Sequence, residues 1–335
     1  MAATPASSPE VAEAVRGIRA GDRRLLARTI TRIESTRAAD RELGQTILDA
    51  LVAESGRAIR VGITGPPGVG KSTFVEALGL RLVEAGQRVA VLAVDPTSPV
   101  TGGSILGDKT RMERLAVRPE AFIRPSPSGG SLGGVAHRTR EVMLLCEAAG
   151  FDVVLIETVG IGQSEVAVAS MVDFFLVLLL PAGGDELQGI KKGVIELADA
   201  LVVNKADGAT AALAERTRQD YAGALAILRR AADDWQPKAF CASAVEARGI
   251  AEIWQGVLDH RAIMEASGRL AARRREQARA WMWKLVEEGM TRAFRERPGM
   301  REAIAEEEAA VAAQTRTATA AARALLERFF APNAR

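Results

Sequence analysis

Cysteine and histidine are almost missing from this 335-residue chain: it has only Cys146, Cys241, His137 and His260. No C-x-x-C or H-x-x-x-H spacing brings any two of them together, which argues against a disulfide framework and against a Cys/His metal centre. Two reduced core thiols are expected instead, one in a helix-like run and one in a strand-like run. Charge of one sign is absent too. The 44 basic residues stand against 42 acidic ones, leaving almost no net field to attract nucleic acid or an anionic membrane. Long apolar runs are also lacking: the most hydrophobic, Phe174 to Leu180, is too short to span a bilayer. The N-terminal stretch MAATPASSPE has no positive region followed by an apolar one. The expectation is a soluble, cytoplasmic protein with neither a nucleic-acid nor a membrane partner.

What the chain does have is a complete G-x-x-x-x-G-K-[ST] loop, Gly65-Pro66-Pro67-Gly68-Val69-Gly70-Lys71-Ser72, followed by Thr73. Before it, Ala58 to Thr64 has the short β-branched character of a buried strand; after it, Phe74 to Glu84 carries apolar residues at helical spacing. In that context the glycines let backbone N–H groups turn around a phosphate. Lys71 can reach the β and γ phosphates, and the Ser72 hydroxyl can ligate Mg²⁺.

Three regions follow along the chain. Residues 1–57 read as polar helices covering one side of a core, with Leu26, Ile30 and Ile33 on one face and Leu43, Ile47 and Leu51 on another. Over 58–260, strand-like runs at 88–94, 151–156, 174–180, 200–203 and 238–242 alternate with helical ones, the pattern of an α/β fold with a mostly parallel sheet flanked by helices. Residues 261–335 read as helical. Met282, Val286, Met290 and Phe294 form one stripe, stopped by Pro298-Gly299, and a last helix shows a seven-residue seam of Ile304, Val311, Ala318 and Leu325. Such a seam serves intrachain packing or a dimer arm, and the dimer is favoured.

Asn204-Lys205-Ala-Asp207 follows the strand-like run Leu201 to Val203. An aspartate there can accept two hydrogen bonds from guanine N1–H and N2–H₂, a pair adenine does not offer, so the motif discriminates between the bases. Asn204 would brace the phosphate loop and the stem of Lys205 would lie along the base. The loop Ser243-Ala244-Val245 ends the final strand-like run, where a backbone N–H is expected to meet guanine O6. Asp95 ends the second strand-like run and Glu157 the third, at the edge where ligands of open α/β sheets bind. Each could hold Mg²⁺ through water or merely cap its strand. The N–H of Gly160 could bond a γ-phosphate oxygen. Asp108, in a Gly-rich stretch, could close over phosphate and metal or be a bare loop aspartate.

These motifs, with VDPTSPVTGGSILGDKTRM at 94–112, ETVGIGQSE at 157–165 and GGDELQGIKKG at 183–193, resemble the MeaB/ArgK GTPases over nearly the whole chain. The resemblance implies a P-loop GTPase with N-terminal and C-terminal helical extensions, usually dimeric. It also implies a GTP-driven chaperone of adenosylcobalamin-dependent methylmalonyl-CoA mutase, protecting the mutase and gating cofactor loading or exchange. By the same resemblance Asp95 and Asp108 belong to a first switch and Glu157 to a second. Asp185, Gln188, Lys191 and Lys192 belong to a third that signals nucleotide state to the mutase. Asp95 or Gln163 would position the attacking water. Without an evident internal arginine finger, hydrolysis is expected to be slow until a partner completes the site. Two alternatives stand beside this reading: a metal-insertion GTPase, and an ATP-dependent transport or kinase component.

Overall fold

The computed structural model describes residues 8–95, 112–127, 132–158, 164–181, 192–227 and 234–331; the side chains at 95, 126–127, 132–137, 164 and 192 lie outside that description. The chain divides into two compact units, Met1–Ala271 and Ala272–Arg335.

Among the described residues the first unit is built on seven parallel strands: β1 (Ile59–Thr64), β2 (Val89–Asp95), β3 (Ala121–Pro127), β4 (Val153–Thr158), β5 (Phe174–Leu179), β6 (Ala200–Val203) and β7 (Lys238–Cys241). Their order is β3-β2-β4-β1-β5-β6-β7. The chain leaves β1 toward one side of the sheet and resumes on the other at β5, so the carboxyl end of β1 lies at a switch in strand order, where a ligand crevice forms. The helices of this unit are α1 (Pro9–Arg19), α2 (Arg23–Glu34), α3 (Ala38–Leu51), α4 (Lys71–Glu84), α5 (Glu113–Ala116), α6 (Leu132–Ala148), α7 (Ser164–Ala169), α8 (Lys192–Glu196), α9 (Ala211–Ile227) and α10 (Ile250–Ala266).

Buried on both faces, the central strands are continuously apolar, and their period of two sorts the side chains into two cores. Val61, Ile63 and Leu155 pack with Phe74 and Leu78 of α4 and Ile253 of α10. Val154, Ile156 and Phe175 pack with Leu26, Ile30, Ile47 and Leu51 of α2 and α3 and with Val142 of α6. The helices of residues 1–57 thus cover one sheet face. On that face Arg60 of β1 is buried in a bidentate pair with Glu147 of α6, at 2.7 and 2.9 Å. Glu147 Oε2 also accepts from the Gly56 N–H at 2.6 Å, so the buried carboxylate is held by three donors. Two residues along β1, Gly62 leaves room for α7: a Cβ there would come within 2.8 Å of Val168 Cγ1.

Strand β3 has no counterpart among the sequence expectations, so Glu157 lies near the end of the fourth strand, one residue before Thr158, and not at the end of the third. The segment AFIRPSP carries Pro125 and Pro127, which cannot donate to a ladder and read as strand breakers. They are tolerated because β3 pairs only with β2, at the edge of the sheet.

The remaining helices are α11 (Arg269–Glu296), α12 (Met300–Ala312) and α13 (Ala318–Phe330). Within the second unit α12 and α13 pack together, and Phe294 meets Phe329 at 5.3 Å between centroids. The seven-residue seam does not lie on one helix. The chain breaks after Ala312, Gln314 takes φ +58°, and Thr317 caps a new helix by accepting from the Ala320 N–H. Ile304, Val311 and Leu325 are half-buried and Ala318 is exposed. An alanine-rich sequence hides such a break, because its helix propensity stays high on both sides.

Candidate functional site: a phosphate loop joined to the N-K-x-D edge

Strand β1 ends at Thr64 and the chain turns through Gly65 (φ +153°), Gly68 (φ +77°) and Gly70 (φ +91°) before α4 begins. Two of these glycines are required by close approach as well as by φ. A Cβ on Gly65 would lie 2.5 Å from the Leu178 carbonyl oxygen, and one on Gly70 would lie 2.9 Å from Asn204 Nδ2. Val69 is fully buried beneath the loop, while Pro67 and Gly68 stand exposed at its tip.

Helix α4 starts without a side-chain cap, and its first residue is a lysine. A cation at a helix N-terminus opposes the macrodipole, and the first-turn amides have no carbonyl partner within the helix. Both features are unfavourable alone, and a bound anion would compensate both. Lys71 is buried, with Nζ donating to the carbonyls of Gly65 at 2.9 Å and Pro66 at 3.0 Å, so the ammonium is folded into the ring it would share with a phosphate.

Beside it, Ser72 Oγ donates to Glu157 Oε1 at 2.8 Å. Glu157 is buried at the end of β4, one strand from β1. A hydroxyl and a carboxylate in contact form a hard-oxygen donor pair that fits Mg²⁺, which favours oxygen ligands and keeps several waters. Among the described residues no group of three His, Cys, Asp or Glu side chains gathers as a metal site. Asp95 is the last residue of β2, two strands from β1, with its side chain outside the description. Asp108, Gly160, Gln163, Asp185, Gln188 and Lys191 lie outside the described residues, and Lys192 begins α8 with its side chain likewise outside.

The other half of the site is built on β6 and β7. Asn204, buried just past β6, donates from Nδ2 to the Val69 carbonyl at 2.8 Å and accepts on Oδ1 from the Ala244 N–H at 3.3 Å. One amide therefore ties the phosphate loop to the loop after β7. Lys205 takes φ +58° and is exposed. Ser243, fully buried, donates from Oγ to Asp207 Oδ2 at 2.5 Å and accepts from the Glu246 N–H at 3.1 Å. The loop is closed by paired backbone bonds between Ser243 and Arg248, both 3.0 Å. Ala244 is buried and Val245 exposed.

Cys241, at the end of β7, is only half-buried, so the expectation of two core thiols holds for Cys146 alone. Burial, and then the Glu215 carboxylate 3.7 Å away, push the Cys241 thiol up to about 11. The protonated thiol is therefore favoured at neutral pH, which lowers its nucleophilicity.

Two buried groups escaped the sequence reading. Thr158 Oγ1 donates to Thr64 Oγ1 at 2.7 Å, and Glu165 of α7 is buried, its Oε2 meeting no hydrogen-bond partner among the described residues. Only their place in the motifs GIT-GPPGVGKST and ET-VGIGQSE hinted at them.

A phosphate loop braced by an N-K-x-D asparagine and flanked by a strand-end carboxylate is the arrangement of a GTP-cleaving α/β domain. The family model described as "Methylmalonyl Co-A mutase-associated GTPase MeaB" matches residues 26–299. The chain belongs to the MeaB/ArgK family of GTPases. It is 53% identical to the Escherichia coli GTPase ArgK over 278 residues, covering 83% of this chain and 84% of that one. Identity to the mouse methylmalonic aciduria type A homolog, a mitochondrial protein, is 49% over 298 residues, covering 86% of this chain and 72% of that one. A crystal structure of a LAO/AO transport system kinase superposes with a TM-score of 0.78 at 41% identity, covering 96% of this chain and 98% of that one. The fold expectation, a P-loop GTPase with a parallel sheet flanked by helices, is borne out. As a MeaB/ArgK GTPase the chain hydrolyses GTP, and no described helix is long and apolar enough to cross a membrane.

Proposed function

We propose that this MeaB/ArgK GTPase acts as a timer on adenosylcobalamin-dependent methylmalonyl-CoA mutase, protecting it from inactivation and gating loading or exchange of its cofactor. The observation that carries this reading is the match of residues 26–299 to the mutase-associated GTPase family, supported by the likeness to the mouse methylmalonic aciduria protein. On this reading Asp207 accepts from guanine N1–H and N2–H₂, braced by Ser243, while the Ser243-Ala244-Val245 loop faces O6. Lys71 leaves its two carbonyls for the β and γ phosphates, and the Gly65–Thr73 amides cradle them. Ser72 and Glu157, with Asp95 and Asp108, hold Mg²⁺, which supplies charge neutralisation on the phosphoryl group. Gly160 bonds a γ-phosphate oxygen, and Asp95 or Gln163 orients the attacking water. Asp185, Gln188, Lys191 and Lys192 pass the nucleotide state to the mutase.

Coupling of this kind is reciprocal: whatever GTP does to mutase affinity, the mutase does to GTP affinity. The test is the GTPase rate with and without purified methylmalonyl-CoA mutase, in its apo and cofactor-loaded forms. Stimulation together with a nucleotide-dependent complex supports the reading; no stimulation and no complex removes the chaperone role and leaves the GTPase. The protein is also proposed to be a homodimer through its C-terminal helices, where Met282, Trp283, Val286 and Met290 are 41–62% exposed along α11. Light scattering of the full chain and of Met290→Glu tests this, a monomeric wild type being the contrary result. The transport system kinase structure favours one second reading, a nucleotide-driven transport component. Competition of GTP against ATP separates the two, since equal displacement by ATP contradicts the Asp207 assignment.

A further inference from the structure

We infer that Thr158 is a positioning residue for GTP hydrolysis, acting through Thr64 to hold the Glu157 strand end in register with the phosphate loop. Strands β1 and β4 run parallel, their ladder ending with Ile63 opposite Glu157, and Thr64 and Thr158 are the next residues along the two strands. Their hydroxyls meet at 2.7 Å, and both residues are at most 1% exposed.

Because side chains alternate across a strand, Glu157 and Thr158 point to opposite faces of the sheet. Glu157 reaches Ser72 of α4 on one face, and Thr158 reaches Thr64 on the other. One strand end is therefore clamped twice. Thr64 is also the last residue before Gly65, whose carbonyl receives the Lys71 ammonium and where a Cβ would lie 2.5 Å from the Leu178 carbonyl oxygen. A shift of β4 against β1 would carry Glu157 away from Ser72.

Stability does not account for the two hydroxyls. On the same face the nearest strand neighbours, Ile156 and Phe175, are apolar and fully buried, so a pair of valines of the same shape would pack against them. Replacing both partners of a buried hydrogen bond with apolar isosteres is close to neutral for folding. What valines cannot supply is a directional bond between the two strand ends, and a misplacement of about 1 Å at a reacting site can cost about 100-fold in rate.

The inference rests on reading Lys71, Ser72 and Glu157 as the phosphate and metal groups, and the experiment separates the two. With the full chain at saturating Mg²⁺, GDP affinity and the kcat and KM for GTP are measured for wild type, Thr64→Val, Thr158→Val, the double valine variant, Thr158→Ser and Lys71→Ala. Loss of one net hydrogen bond corresponds to a fall of about 5–10-fold in kcat, with KM and GDP affinity within about twofold. Thr64→Val and the double variant are expected to match Thr158→Val, since all three remove one bond, and Thr158→Ser is expected to restore the rate. The inference is overturned by a double variant that hydrolyses GTP like wild type, by losses that multiply in the double, or by a loss that serine does not rescue. If Lys71→Ala binds nucleotide like wild type, the site reading fails instead, whatever the threonine variants do.

Discussion

Asn204 and Val69 stand 135 positions apart in the sequence, yet the Asn204 side-chain amide donates to the Val69 carbonyl at 2.8 Å and fixes the underside of the phosphate loop. The same side chain accepts from the Ala244 N–H, so the loop that holds phosphate and the loop proposed to meet the base share one buried anchor. Asn204→Ala is expected to weaken GDP and GTP alike, by about tenfold or more, because a buried carbonyl and a buried N–H each lose their partner. Titration with a fluorescent guanine nucleotide measures it; a selective loss of GTP alone would contradict the anchor role.

Ser243 and Asp207 make a separable prediction. Asp207→Asn is expected to lose guanine preference and gain xanthine nucleotide, whose 2-oxo group needs a donor where guanine has an amine. Ser243→Ala keeps the carboxylate but frees its rotamer, so GDP binding should weaken about 5–10-fold with guanine preference retained. Competition among GTP, XTP and ATP reads both, and unchanged guanine preference in Asp207→Asn counts against the assignment.

The Arg60–Glu147 pair concerns stability. Glu147→Leu strands a buried guanidinium and is expected to cost about 3–5 kcal/mol in chemical denaturation. Arg60→Met combined with Glu147→Leu should recover much of that loss. A double variant as unstable as the single one would show that the pair does more than neutralise itself.

Cys241 gives a pH dependence. Its thiol is raised from an ordinary value of 9.0 to about 11, by burial first and the Glu215 carboxylate second. The folded state thus favours the protonated thiol: its contribution to stability is complete below pH 9 and lost as pH rises through 11. Alkylation of folded protein at pH 8 should accordingly run far slower than of the unfolded chain, and Glu215→Gln should narrow the gap. Equal rates in the two states would refute the shift.

Local chemistry explains what was legible beforehand. The phosphate loop, N-K-x-D and the apolar strands announce themselves because each is a short contiguous pattern whose function lies in its own backbone and spacing. Strand β3 stayed hidden because two prolines mark it as non-strand, and only its place at the sheet edge removes the objection. The α12–α13 break stayed hidden among alanines that favour helix on both sides.

The sequence by itself determined the α/β class, the guanine-nucleotide chemistry and the family, since these reside in residues adjacent in the chain. Tertiary structure alone decided which distant groups meet: Asn204 with Val69, Ser72 with Glu157, Thr158 with Thr64, Arg60 with Glu147. Each of those pairs depends on strand order and register. Parallel pairing across crossovers is set by the packing of two whole sheet faces, which no single segment encodes.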